Sequence, residues 1–216
     1  MLTSFSSYLF VGAHPDDIEI WAGGLIFKIH ERNKTAKVYC VVLTDGSAGQ
    51  GSVQERYEES MEAAKMLRVD SYEFLNFKDA SLDFNVELSK VIANLIRKYK
   101  PDVLVTHPAS DKHPDHAAVG LATSKALFLA MVSPEFLDYE PHLCRNVLRF
   151  VSDPFSSPSS RVYVDISEVY EMKKELIAKF KTQLDVLEPY LQLNELYGRM
   201  IGVRAAELFE PEVLIF

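Results

Sequence analysis

Imidazole and carboxylate occur together twice in this chain, each time beside a proline. The first stretch is Ala13-His14-Pro15-Asp16-Asp17, and the second is His113-Pro114-Asp115-His116. These side chains bind divalent metals and move protons, and the proline stiffens each turn by fixing its own φ. Three protein ligands plus a water is the make-up of a catalytic zinc site, whereas structural zinc sites fill all four positions with protein. His14, Asp17 and His116 supply three such ligands. His14 and Asp17 lie three residues apart across a strand-to-helix turn, so both can face one ion if the helix begins near Asp17. Neutral imidazole and carboxylate suit Zn²⁺, and also Fe²⁺ or Mn²⁺.

A water in the fourth position would have its pKa drawn towards neutrality and would need a base. Asp16, next to Asp17 and unable to share the same ion face, is the candidate. Charge developing on a substrate carbonyl oxygen would be met by a protonated His113, which could later give a proton to a leaving amine. Asp115 would orient an imidazole, as carboxylates around zinc do. The residues read as a zinc hydrolase site assembled from two distant parts of one domain. A lone His-x-x-Asp recurs by chance and often only caps a helix. Two such stretches, each following a strand, make the metal reading the stronger one. His30 and His142 lack such partners and read as structural, while His107 is expected to make a local hydrogen bond near Thr106.

The elements that must position these groups follow from apolar spacing. Continuous apolar runs predict strands at Tyr8 to Ala13, Val38 to Leu43 and Val103 to Thr106, with a weaker one at Tyr72 to Leu75. Helical spacing predicts helices at Asp17 to Glu31, Val53 to Leu67, Glu87 to Tyr99 and Pro114 to Met131. Further strands are expected at Val147 to Val151 and Arg161 to Ile166, around a Ser/Pro-rich loop from Asp153 to Ser160. Ser167 to Leu187 reads as one helix with Ser167 as N-cap, and Leu191 to Glu207 as another, interrupted near Gly198 and Gly202. Alternating strands and helices mean βαβ units. The expected fold is α/β, Rossmann-like and three-layered, with a mostly parallel central sheet and the site at the carboxyl ends of its strands. Residues 1–216 are read as a single domain, with no internal repeat or linker. The late hydrophobics Phe136, Leu137, Tyr139 and Phe155 are assigned to the core by default.

Composition narrows the partners. Hydrophobic residues make up 48% of the 216, and the formal net charge is −8. That balance, with no long Lys/Arg cluster, argues against nucleic acid and anionic membranes. Cys40 and Cys144 are the only cysteines and form no C-x-x-C pair, which argues against a thiolate zinc site or a disulfide scaffold. Neither a signal peptide nor a membrane span is evident, so the cytoplasm is the expected location.

At these residues the chain resembles the PIG-L/LmbE-type metal-dependent N-deacetylases. His14-Pro15-Asp16-Asp17-Ile18-Glu19, followed by Gly23-Gly24, is similar to the first signature of that family, and His113 to His116 to its second. Thr44-Asp45-Gly46, Glu55-Arg56 and the closing Ala205-Ala206-Glu207-Leu208-Phe209 match in the same order. The resemblance implies His14, Asp17 and His116 as zinc ligands, Asp16 as general base and His113 as the electrostatic and acid group. It offers Arg56 as a sugar contact; by itself Arg56 reads as a solvated helix residue paired with Glu59 or Ser60. It further implies an acetyl group removed from an N-acetylglucosamine unit that carries a second group (malate, inositol, phosphatidylinositol or another sugar), and a homo-oligomer, trimeric or hexameric. Two positions depart from the pattern. Glu19 comes one residue late, as in the bacillithiol-type branch, and Phe180 stands where many relatives carry His or Tyr.

Three rivals remain. A nucleotide-binding module would need a Gly-rich first turn, and Pro15 lacks the N–H that would approach a phosphate. A non-catalytic sugar-binding member would have lost a ligand or the base, and all are present. An amidase or deacylase acting on other N-acyl compounds, such as thiol conjugates, would share every catalytic residue.

Overall fold

Side chains alternate across a strand, and here both faces of the central strands are apolar. In β1 (Ser7–Gly12), Tyr8 and Phe10 enter one core while Leu9 and Val11 enter another. In β2 (Lys37–Thr44), Val38, Cys40 and Val42 separate from Val41 and Leu43 in the same way. In β4 (Val103–Thr106), Val103 and Val105 separate from Leu104. Strands buried on both faces belong to parallel sheets covered by helices on both sides. The computed structural model, which describes residues 2–132, 135–153 and 160–213, has that arrangement. Helices α1 (Asp17–Arg32), α2 (Val53–Leu67), α5 (Tyr170–Ile177) and α6 (Leu184–Ile201) pack into the first core. Helices α3 (Val86–Tyr99) and α4 (Pro114–Met131) close the second.

The remaining strands are β3 (Ser71–Phe77), β5 (Asn146–Phe150), β6 (Val162–Asp165) and β7 (Ala206–Val213). All seven form one sheet in the order β3-β2-β1-β4-β5-β7-β6. β1 to β5 are parallel along this order, and β7 runs antiparallel to both β5 and β6. Tyr8 lies opposite Val38 on one side and Val103 on the other. The chain therefore builds outwards from β1 towards β3, then returns to β4 on the opposite flank. That reversal between β1 and β4 is where open α/β sheets bind ligands. Both histidine stretches leave the carboxyl ends of these two strands.

The second half departs from expectation in three places. The single helix expected from Ser167 to Leu187 is a 3₁₀ turn at Ser167–Val169 followed by α5, a break at 178–183, and then α6. The break is tertiary in origin. Thr182 donates its N–H and hydroxyl to Glu59 (2.9 and 2.7 Å), Gln183 donates to the carbonyl of Gln50 (2.7 Å), and Phe180 is buried in the first core. The helix expected to reach Glu207 ends at Ile201, because Gly202 takes a left-handed φ of 77° that stops it. The chain then enters β7. Phe136 and Tyr139 are exposed rather than core, Leu137 packs against the second core, and Phe155 lies outside the described residues.

One buried ion pair ties this late segment to the first helix. Lys173 and Glu207 are both essentially solvent-free and bonded to each other. Glu207 also accepts the N–H groups of Gly24 (2.8 Å) and Leu25 (2.7 Å), and Lys173 donates to the carbonyl of Ile20 (2.6 Å). A Cβ on Gly24 would fall 2.7 Å from Ile166 and 3.0 Å from Glu207 Oε1, so the close approach requires glycine. Burial pulls the Lys173 ammonium down and Glu207 opposes that pull. Removing one partner of such a pair leaves an uncompensated buried charge. Lys173→Met should therefore cost about 3–5 kcal/mol in denaturant unfolding. A loss below about 1 kcal/mol would show that the pair does not hold α1 against β7.

Candidate active site

The turn after β1 is held by its own side chains. The N–H of His14 donates to Asp17 Oδ2 (2.7 Å) and the N–H of Asp17 to the carbonyl of His14 (3.3 Å). Asp16, at the N-cap of α1, has φ 116°, a conformation strained for any residue with a Cβ. Arg56 secures it. Its guanidinium donates to the carbonyl of Pro15 (2.7 Å), to Asp16 Oδ2 (2.8 Å) and to the carbonyl of Gly46 (2.6 Å). Arg56 is 4% exposed, so it is not the solvated partner of Glu59 or Ser60 that its helix position suggested.

The second stretch comes to the same place. His113 is the N-cap of α4 and Pro114 opens the helix, where its missing N–H costs nothing. One turn in, His116 Nε2 lies 3.2 Å from His14 Nδ1 and 3.3 Å from Asp17 Oδ1. His14 Nδ1 is 3.4 Å from Asp17 Oδ2. Ligands about 2.0–2.1 Å from a tetrahedral metal stand about 3.3 Å apart. The three side chains thus meet at separations close to that value, with His116 facing Oδ1 of Asp17 and His14 facing Oδ2. His14, Asp17 and His116 are buried around it.

The nitrogens turned away from this centre meet carboxylates. His14 Nε2 lies 3.1 Å from both Asp115 Oδ2 and Asp79 Oδ1. His116 Nδ1 is 3.2 Å from Asp111 Oδ2. With a metal bound between the rings, each would keep its proton on the outer nitrogen, held by these carboxylates, and would offer the inner nitrogen as ligand. Asp115 is itself fixed by the N–H groups of Ala80 (2.9 Å) and Leu82 (3.0 Å). His113 stands beside both rings, its centroid 4.7 Å from His14 and 4.5 Å from His116. His107, expected to bond locally near Thr106, instead receives the N–H of Ala13 (3.0 Å) and lies 3.1 Å from Asp17 Oδ2.

The field at this centre favours a cation. Burial disfavours the imidazolium of His14, yet Asp17 and Asp79 outweigh it and raise the group to about 11. His116 is raised to about 9 against the same penalty, through Asp17 and Asp111. Burial would lift Asp17, but His116 and His107 hold it well below the usual carboxylate range. Asp16 goes the other way, lifted by burial and by Asp17 against the pull of Arg56, His14 and His116. Burial and the two neighbouring histidines lower His113.

A cavity of about 290 Å³ opens over these groups, with Asp16, Arg56 and His113 on its walls. It also exposes residues that motif reading missed: Asp79, Trp21, Gln183 and Tyr190. Asp79 and Asp111 were within reach of the carboxyl-end rule, since they follow β3 and β4. Trp21, one helical turn beyond Asp17, carried a periodicity signal. Gln183 and Tyr190 had none. Phe180 is in the core and does not line the cavity. Glu19 is buried behind the turn, accepting the Tyr72 hydroxyl (2.9 Å), and is not a wall residue either.

Comparison with known proteins agrees with this arrangement. Residues 9–127, more than half the chain, match the family model "PIG-L: GlcNAc-PI de-N-acetylase". A diacetylchitobiose deacetylase of Thermococcus kodakarensis is 33% identical, over 92% of this chain and 80% of that protein. A probable N-acetyl-α-D-glucosaminyl L-malate deacetylase 2 of Bacillus subtilis is 26% identical, over 84% of this chain and 87% of its own. Among solved structures, a conserved protein of Thermus thermophilus superposes with a TM-score of 0.88 at 27% identity, covering 98% of this chain and 96% of that one. With both signature stretches meeting at the switch point of this sheet, the chain belongs to the PIG-L deacetylase family.

Proposed function

We propose that this protein is a metal-dependent hydrolase that removes the acetyl group from an N-acetylglucosamine-containing small molecule, giving a free amine and acetate. The observation that carries this reading is the convergence of His14 Nδ1, His116 Nε2 and the two oxygens of Asp17, at separations of 3.2–3.4 Å, with Asp16 beside them in one cavity. His14, Asp17 and His116 would hold the ion, most simply Zn²⁺, with Fe²⁺ and Mn²⁺ also suited to this donor set. When bound, the ion supplies Lewis acidity towards water and the amide carbonyl oxygen.

The chain's own groups do the rest. Asp16 takes the proton of the attacking water, and its raised pKa brings it towards the working pH, where a general base is most effective. Because burial and its histidine neighbours lower its pKa, His113 serves near neutral pH chiefly as a neutral N–H donor to the carbonyl oxygen as negative charge develops there. When the C–N bond breaks, the electron pair stays on nitrogen, and the proton that Asp16 took from the water completes the amine. Asp115 and Asp79 keep the His14 ring in the orientation that points Nδ1 inwards. Arg56 acts by holding Asp16 and the Gly46 carbonyl, which favours a positioning role over direct sugar contact. The reading also carries a cytoplasmic homo-oligomer, as the sequence and the family resemblance lead one to expect.

Protein stripped by a chelator should release no acetate from N-acetylglucosamine derivatives and regain activity at about one zinc per chain. Metal bound at that ratio without release from any N-acetylated sugar would redirect the reading to other N-acyl substrates. Asp16→Ala should keep the metal and lose about 10²–10⁴-fold in kcat; near-normal turnover with metal bound would remove Asp16 as the base. Asp115→Ala should weaken zinc binding about 10–100-fold in competition with a chromogenic chelator. Unchanged affinity would mean that Asp79 alone orients His14.

A further inference from the structure

The cavity has two unlike halves. One is the charged cluster. The other is an apolar wall built from α1 and α6, where Trp21 and Tyr190 meet with ring centroids 5.0 Å apart and planes at 71°. Val186 and Leu187 extend this wall, and Val186 is half exposed there. Trp21 follows Asp17 by four residues on α1, so the two share a helix face about 6 Å apart along the axis. That offset is about the width of one pyranose ring. A sugar unit whose acetamide reached the His14–Asp17–His116 cluster would leave its neighbour against the Trp21–Tyr190 corner.

Charge decides what the neighbour can be. Among the described residues, Arg56 is the one Lys or Arg lining the cavity, and its guanidinium is spent on Asp16 and the carbonyls of Pro15 and Gly46. Asp16, Asp17 and Asp79 line the same space. Lys179 and Lys181, on the connection that carries Gln183, line a different groove, opposite Glu55, Glu58, Glu59 and Glu62. A carboxylate or phosphate on the second unit would be desolvated without a cation to meet it. The C–H-rich face of a neutral pyranose would lose little water against the two rings, with its hydroxyls left at the edge.

Resting on the deacetylase reading above, we propose that Trp21 and Tyr190 form the platform for an uncharged second sugar. The preferred substrate is then a neutral N-acetylglucosamine oligosaccharide rather than a conjugate with an acid.

The experiment compares acetate release from N-acetylglucosamine, N,N'-diacetylchitobiose and N-acetylglucosaminyl malate by the zinc-loaded protein. The expected kcat/KM for the neutral disaccharide exceeds that for the malate conjugate at least about ten-fold. Tyr190→Ala and Trp21→Ala should each lower the disaccharide-to-monosaccharide ratio about ten-fold, mainly through KM. Tyr190→Phe, which keeps the ring, should preserve the ratio. Since Trp21 is partly buried and its loss could disturb folding, the Tyr190 pair is the decisive one. A malate conjugate turned over as well as the disaccharide, or a ratio unmoved by Tyr190→Ala, would overturn the platform and leave the deacetylase standing. No acetate from any of the three would overturn the deacetylase reading and the platform with it.

Discussion

Parallel pairing of β1 with β4 is the constraint on which the site depends. The two histidine stretches are separated by about a hundred residues, and each alone offers an incomplete set of donors. Pairing Tyr8 with Val103 and Phe10 with Val105 aligns the carboxyl ends of the two strands, so His14 and His116 come within 3.2 Å. The same pairing explains His107, which leaves the end of β4 and reaches across to the N–H of Ala13 and to Asp17. Insertion of β2 and β3 on the far side of β1 then delivers Asp79 to the outer nitrogen of His14. Three connections, each a few residues past a strand end, thus close on one point.

Closing them has an electrostatic cost that the residues around the centre offset. Asp16, Asp17, Asp79, Asp111 and Asp115 crowd around two imidazoles, and mutual repulsion alone would push several of the carboxyls towards their neutral forms. Instead the carboxylates hold positive charge on His14 and His116, a sign that the place between them attracts a cation. Arg56 is the fixed counter-charge. Buried in the same cluster, it neutralises part of the acid load and also holds the strained turn at Asp16 through the Pro15 carbonyl. A structural clamp and an electrostatic partner are therefore one side chain.

The platform for α1 is laid at the other end of the chain. Glu207 and Lys173 grip α1 around Ile20 and Gly24, one to two turns beyond Asp17, and the two glycines at 23 and 24 let β7 and α5 approach closely. A helix whose first turn carries the candidate ligand Asp17 and whose second turn carries Trp21 must keep its axis in place. This accounts for a closing segment that resembles the family yet does not line the cavity: its glutamate anchors the helix that carries the candidate residues Asp16 and Asp17.

Much of this was legible in the sequence, and the reason is local. Continuous apolar runs can be buried only in two-sided strands, which made β1, β2 and β4 readable. Proline next to imidazole and carboxylate at a strand end marked both halves of the site, and α2, β4 and α4 have the bounds that their periodicity predicts. The late region was misread because its outcome is set by distant partners. The stretch from Ser167 to Leu187 has helical spacing throughout, but Glu59 and Gln50 compete for Thr182 and Gln183 and break it. The segment ending in Glu207 has the composition of a helix, yet open edges on β5 and β6 take it up as β7. Arg56 looked like a surface residue because its burial depends on where Gly46 and Pro15 lie in space. The candidate chemical side chains were readable in the sequence; which residues surround and orient them, and where the apolar wall of the cavity lies, was decided only when non-adjacent strands and helices met.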